Sequence, residues 1–329
     1  MATETAPTSV RFRWLVLTTL AATYALIIVG GIVRATGSGD ACPDWPRCHG
    51  ELLPPLERDV LIEFSHRLIA SVVGFLVLGT AVVAWRRERH VKVAVWGSAL
   101  AVGLVIAQII LGGVTVLNDL SANLVMAHLS LAATLLATLI VIAVASFRPL
   151  GRLELRGDAV AFRNLAAFAA IATFALMLTG SYVSGSGAGL AFRDWPLFDG
   201  KLTPDGGRLA MIHVTHRLAA GAVGLLVAFL AARAWRTQRE HQPVVIALSG
   251  ALVIYVAQVF VGAANIWTLL KPAAVSAHLA VAVALWGVLV AGTLFAQQAA
   301  QEGLARGAVE PEERRRGSAR AALGAQRSP

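Results

Sequence analysis

Charged side chains are scarce in this sequence. Asp, Glu, Lys and Arg make up 14% of its 329 residues, where an average soluble domain carries about 25%. Apolar residues reach 57% and the mean hydropathy is +0.69. So little charge cannot clothe a water-soluble core of that apolar content. The same numbers exclude a disordered chain and a coiled coil. Cysteine is nearly absent: Cys42 and Cys48 are the only two, which excludes a secreted scaffold built on disulfides. What remains is an all-α polytopic membrane protein.

A membrane helix needs about 20 mostly apolar residues. Charge-free windows cover 14–33, 68–85, 93–118, 121–147, 164–192, 218–232, 244–270 and 272–301. The sixth reaches spanning length only if its helix begins early enough to include His213 to Arg217. The reading is eight transmembrane helices. The first has a counterpart later in the chain and no clean cleavage site after it, so it reads as a span and not a signal peptide.

The net charge of +9 reflects sidedness and not a nucleic-acid partner. Of the 28 basic residues, 19 fall at the N-terminus, in the second-to-third, fourth-to-fifth and sixth-to-seventh connections, and in the tail. That side is read as cytoplasmic, with both termini on it. The basic tail (Arg314, Arg315, Arg316, Arg320, Arg327) suits anionic lipid.

The sequence repeats at an offset of 150 without a gap. GGIVRATGSGDACPDWPRCHGELLP (30–54) lies over GSYVSGSGAGLAFRDWPLFDGKLTP (180–204), SHRLIASVVGFLV (65–77) over THRLAAGAVGLLV (215–227), and QIILGGVTVLNDLSANLVMAHLSLA (108–132) over QVFVGAANIWTLLKPAAVSAHLAVA (258–282). Four spans per half make this a parallel repeat. The expected organisation is a cytoplasmic tail over 1–12, a four-helix bundle over 13–147, a basic cytoplasmic linker over 148–163, a second bundle over 164–298, and a disordered basic tail over 299–329.

Four of the eight histidines share this symmetry: His66 and His128, then His216 and His278. Each sits at the outer mouth of an even-numbered span, so each half offers one pair from two helices. Two imidazoles facing each other across a bundle suit axial ligation of a haem iron. The alternative is four packing or interfacial histidines with ordinary hydrogen bonds. Zinc would want three or four ligands, with Cys or carboxylate among them. His49, His90 and His241 read as solvated. Arg67 and Arg217 follow two of the four histidines and could meet haem propionates or snorkel to the interface. Gln108 and Gln258 read as interhelical hydrogen-bonding residues. Gly112, Gly113 and Gly262 would allow a close approach.

The halves also differ. Glu63 precedes His66 by three residues, one turn away on the same face; its counterpart is His213. It reads either as an acid–base or proton-relay group or as a helix-start carboxylate. Cys42 and Cys48 face Phe192 and Phe198 in the second half. In an outer loop the pair is expected to form a disulfide, as a staple or as a redox participant. Asp44-Trp45-Pro46 and Asp194-Trp195-Pro196 recur in Gly-rich loops that read as caps over two pockets.

On these residues the chain resembles the haem A synthase family over about residues 10–298. The carriers are the duplicated eight-helix plan, GGIVRATGSGDACPDWPRCHG with its cysteine pair, EFSHR (63–67), HVTHR (213–217), His128 and His278. The resemblance implies oxidation of a haem O methyl group to a formyl group through an alcohol. It implies that His216 and His278 hold a haem b cofactor, beside which the residue reading sets Arg217. It assigns His66, His128 and Arg67 to the substrate half, Glu63 to the family's essential carboxylate, and Cys42–Cys48 to its outer-loop pair. It implies a multi-pass protein of the cell membrane, with haem sites toward the outer face. The implied partners are haem O, the lipid bilayer and an electron donor, with haem O synthase and oxidase assembly factors as further candidates. The bottom-up competitors are a bis-histidine electron-transfer protein and a parallel-repeat transporter. Against the transporter, no span carries a central Asp, Glu or Lys.

Overall fold

The first helix shows how the chain punctuates its spans. Ser9 stands before it, and its side chain accepts the Phe12 N–H, satisfying one of the orphan donors of a helix start. Gly37 ends it at φ 72°, where a residue without Cβ sits unstrained, and its N–H returns to the Val33 and Arg34 carbonyls. Between these signals lies a run without proline. Proline opens the last two helices, at Pro243 and Pro272, where its missing N–H costs nothing.

The computed structural model describes residues 8–51, 54–148, 150 and 158–325, by backbone alone beyond residue 302. The helices are α1 Val10–Thr36, α2 Arg58–Arg87, α3 Lys92–Val116, α4 Ala122–Phe147, α5 Asp158–Gly185, α6 Arg208–Thr237, α7 Gln242–Trp267 and α8 Pro272–Ala325. All eight are long and apolar enough to cross a membrane. Among the described residues the only β pairing is two isolated bridges, Cys48 with Glu51 and Phe198 with Lys201. In hydrocarbon a helix satisfies its own backbone polar groups, so a chain of this composition has few other choices.

The boundaries differ from the hydropathy windows where charge or glycine intervenes. α2 and α6 begin ten residues before their windows, at Arg58 and Arg208, because the polar groups of that first stretch find partners inside the fold. α5 stops at Gly185, short of its window's end, because Gly187 turns the chain at φ 74°. α5 also begins inside the expected linker, at Asp158; linker residues 149 and 151–157 lie outside the described residues. α8 stays helical to Ala325, where the composition had suggested a disordered tail. Residues 1–7 and 326–329 of the two expected tails lie outside the described residues.

Sequential helices are neighbours, joined by short turns at 88–91, 117–121, 238–241 and 268–271 and by the longer 37–57 and 187–207 loops between α1 and α2 and between α5 and α6. α1 packs on α2 and α4, α2 on α3, and α3 on α4; α5 to α8 close in the same way. One core gathers Phe12, Val16, Val73, Val77 and Leu139, the other Phe162, Val223, Leu230, Leu248 and Leu289. A third apolar cluster joins the halves through α1, α4, α5 and α8, with Ile27, Leu136, Met177, Val283 and Trp286 buried in it. There Tyr24 on α1 donates its hydroxyl to the Ala280 carbonyl on α8 at 3.0 Å. The outside is apolar: Trp14 is 67% exposed, Phe75 75% and Leu225 76%. That inversion of the soluble rule is what a lipid solvent permits.

Candidate functional site

The even-numbered helices start at the end where the 37–57 and 187–207 loops lie, and each carries one of the four histidines within its first turns. His66 on α2 and His128 on α4 thus share one end of the first half, as His216 on α6 and His278 on α8 share that end of the second. All four imidazoles are half-buried. Each packs against a glycine of the preceding helix in chain order. A Cβ on Gly30 would lie 3.2 Å from His66 Nε2, and one on Gly112 3.2 Å from His128 Cε1. A Cβ on Gly180 would lie 3.0 Å from His216 Cε1, and one on Gly262 3.0 Å from His278 Cε1. The four glycines obey the same offset as the histidines. Each leaves just the room an imidazole edge needs beside a helix backbone. Gly112 and Gly262 were visible as a weak sequence signal. Gly30 and Gly180 were not singled out, though their places in the repeat were on view.

Glutamines brace two of these histidines. Gln108 donates to the His128 carbonyl at 3.1 Å and Gln258 to the His278 carbonyl at 3.0 Å, which fulfils the interhelical role read from sequence. The Nδ1 atoms of His128 and His278 are buried with no hydrogen-bond partner among the described residues. Such groups are costly to leave unmatched. Nor do three or more His, Cys, Asp or Glu side chains gather at one metal-sized point among the described residues.

The loops above the pairs are latched by the arginines. Arg67 donates from Nε to Glu63 Oε1 at 2.9 Å, from Nη1 to the Asp44 and Arg47 carbonyls at 2.9 and 2.8 Å, and from Nη2 to the Cys42 carbonyl at 3.0 Å. Arg217 donates from Nε to His213 Nε2 at 3.1 Å, and from Nη1 and Nη2 to the Leu197 and Asp194 carbonyls at 2.8 and 2.9 Å. These contacts engage four of the five N–H donors of Arg67 and three of those of Arg217. A propionate would therefore meet guanidinium groups already committed to the loops, with one and two N–H groups left over.

Each loop is also closed on itself. Asp44 accepts from the His49 and Gly50 N–H groups at 2.6 and 2.8 Å, and Asp194 from Asp199 and Gly200 at 2.7 and 2.8 Å. Cys42 and Cys48 are joined in a buried disulfide. In the other loop Phe192 and Phe198 take those places as an edge-to-face pair with ring centroids 5.0 Å apart. The Arg217 guanidinium lies 5.1 Å from the Phe198 ring centroid, a cation–π contact. Glu63 is 4% exposed and its counterpart His213 6%. One site is thus roofed by a carboxylate, an arginine and a disulfide, the other by a histidine, an arginine and two phenylalanines.

The Asp44 carboxyl is held below its ordinary value of 3.8, chiefly by the Gly50 N–H. A depressed acid stabilises the fold above its unfolded value and loses that contribution as pH falls through its folded value. The 41–51 loop is therefore expected to resist proteolysis unchanged from pH 7 to pH 5 and to loosen only below 3.8. An Asp44→Asn variant, which can accept both N–H groups only through one oxygen, is expected to be cut faster at neutral pH and to show a weaker pH step. Cleavage within the 41–51 loop, measured across that range with acid-active and neutral proteases against an unstructured loop peptide as reference, checks both outcomes.

Eight apolar helices, with two histidines at the same end of each four-helix half, define a polytopic membrane protein of two related halves. The chain belongs to the COX15-CtaA family, cytochrome oxidase assembly proteins, whose family model matches residues 13–61 and 57–290. It is 30% identical to the Heme A synthase of Shouchella clausii over 248 residues, 74% of this chain and 82% of that protein. It is 30% identical to the Heme A synthase of Alkalihalophilus pseudofirmus over 218 residues, 65% of this chain and 72% of that one. The Heme A synthase of Staphylococcus aureus is 28% identical over 264 residues, 78% and 86% of the two chains.

Proposed function

We propose that this chain is a haem A synthase, a membrane oxidoreductase that converts a methyl group of haem O to a formyl group. Similarity to proteins of that name supports the activity. The observation that carries the division of labour is the difference between the two roofs. Only the N-terminal pair has a buried carboxylate one turn away, tied to an arginine and a disulfide loop.

His216 and His278 would hold haem b. Their fit rests on the donor set, on glycines that clear the space beside each ring, and on the unmatched Nδ1 of His278. Bound there, haem b supplies one-electron redox chemistry. His66 and His128 belong to the substrate site, and haem O enters it from the lipid with its farnesyl chain among the helices. Oxidation of the methyl gives an alcohol and then a geminal diol, which loses water to the aldehyde. Each oxygen insertion, with dioxygen as oxidant, takes two electrons from the donor and two protons and leaves one water, and Glu63 relays those protons at the poorly hydrated reacting edge. Arg67 keeps that carboxylate placed through Nε while its other donors hold the loop shut. Arg67 and Arg217 can add their remaining N–H groups to propionates. The distribution of basic residues among the loops supports a reading with both termini in the cytoplasm and the two sites toward the outer face of the cell membrane. An electron donor completes the reaction, and haem O synthase is a natural neighbour because the substrate is insoluble.

The test is co-expression with a haem O synthase in a host that lacks haem A, followed by haem extraction and mass-detected chromatography. Haem A or its hydroxylated precursor is the expected result. Haem B alone, on folded protein with haem O present in the membrane, contradicts the reading and favours a bis-histidine electron-transfer protein.

A further inference from the structure

The two halves hold their first histidine differently. His216 Nδ1 lies 2.9 Å from the Thr179 hydroxyl, which is also 2.8 Å from the Leu176 carbonyl one turn back in α5. A hydroxyl has one proton to give. Only one arrangement makes both contacts hydrogen bonds: Thr179 donates to Leu176, and His216 donates its Nδ1–H to Thr179. That leaves Nε2 of His216 unprotonated, with its lone pair available. At the equivalent place in α1 stands Val29, which can accept nothing. The ring of His66 is also turned differently, with Nε2 and Cδ2 nearest its glycine, where His216 presents Cε1.

We propose that Thr179 is a positioning residue that fixes the tautomer and rotation of His216 for iron ligation. Val29 leaves His66 without such a brace, so the fold grips an iron porphyrin tightly in the C-terminal half and exchangeably in the N-terminal half. A resident cofactor needs slow release. A substrate that must leave as product needs the opposite. The physical basis is general: a ligating imidazole that donates its second N–H is oriented by it and becomes a stronger donor, and loss of that partner costs about 10–100-fold in metal affinity. The inference rests on His216 being an iron ligand, as proposed above.

The experiment uses purified full-length protein and measures transfer of haem b to an excess of apomyoglobin, together with the haem midpoint potential. Thr179→Val keeps the shape and removes the hydroxyl; Thr179→Ser keeps the hydroxyl and removes a methyl. The proposal expects Thr179→Val to release haem b about 10–100-fold faster with a more positive potential, because a weaker imidazole donor stabilises the ferric state less. It expects Thr179→Ser to stay near wild type. A pure packing role predicts the reverse order, with Ser the more damaging, and that order overturns the proposal. So does a Thr179→Val protein with unchanged release and potential. The reciprocal Val29→Thr variant is expected to slow haem release from the N-terminal half, and a faster or unchanged release counts against the account of His66. His216→Ala separates the two levels: if it retains haem b with an unaltered spectrum, His216 is not a ligand, and the assignment of the site fails along with the inference.

Discussion

A Glu63→Gln protein is expected to fold, to bind haem b, and to make haem A about 10²–10⁴-fold more slowly than wild type, the usual worth of a positioned proton-transfer group. The substitution is conservative in geometry. Gln still offers an oxygen to Arg67 Nε, now 2.9 Å from Glu63 Oε1, so the loop latch persists while the proton-transferring group is gone. Accumulated haem O, or an arrested alcohol, is the expected content of the extract. Normal haem A output from a haem-loaded Glu63→Gln protein removes Glu63 from the chemistry and leaves it a structural partner of Arg67.

Arg67→Ala is expected to act on stability as strongly as on turnover. Glu63 is nearly buried, with a side-chain exposure of 6%, and removing its cation leaves a carboxylate desolvated and unpaired. Breaking a buried pair in this way costs about 3–5 kcal/mol. The same change frees the Cys42, Asp44 and Arg47 carbonyls, so the 41–51 loop should open to protease. The double variant Arg67→Ala/Glu63→Gln is expected to recover part of the lost melting temperature, because the stranded charge has gone. Additive losses in the double variant would show that the two side chains do not act as a unit. Arg217→Ala, whose Nε partner is the imidazole of His213, strands no carboxylate and is expected to be milder.

Much of this architecture was legible because lipid narrows the choices. A charge-poor chain with repeated apolar windows has helices as its ready solution, and the 150-residue offset placed the equivalent residues in advance. Hydropathy failed at particular ends for particular reasons. It closed the second and sixth windows at the charged Arg67 and Arg217, although α2 and α6 run back ten residues further, because those charges are matched inside the fold by Glu63, His213 and loop carbonyls. It overran α5 because residues 186–192 are apolar enough to pass for helix while Gly187 turns the chain.

The histidines, Glu63 and the cysteine pair could be read from sequence because their residue types are unusual in such surroundings. The duty of the arginines toward the loops could not. It depends on backbone carbonyls, and every residue has one. Thr179 was silent for a related reason. One more threonine on an apolar helix means nothing until its hydroxyl is seen at 2.9 Å from a histidine nitrogen, although the mismatch with Val29 was there to be noticed.

The central claim is that one half holds the cofactor and the other does the chemistry. Paired histidine variants, purified from cells that make haem O, test it most directly by haem content and product together. The account predicts that His216→Ala/His278→Ala protein loses its bound haem b, and that His66→Ala/His128→Ala protein keeps haem b yet yields no haem A. Retention of haem b by the first pair and its loss from the second would contradict the assignment of the halves.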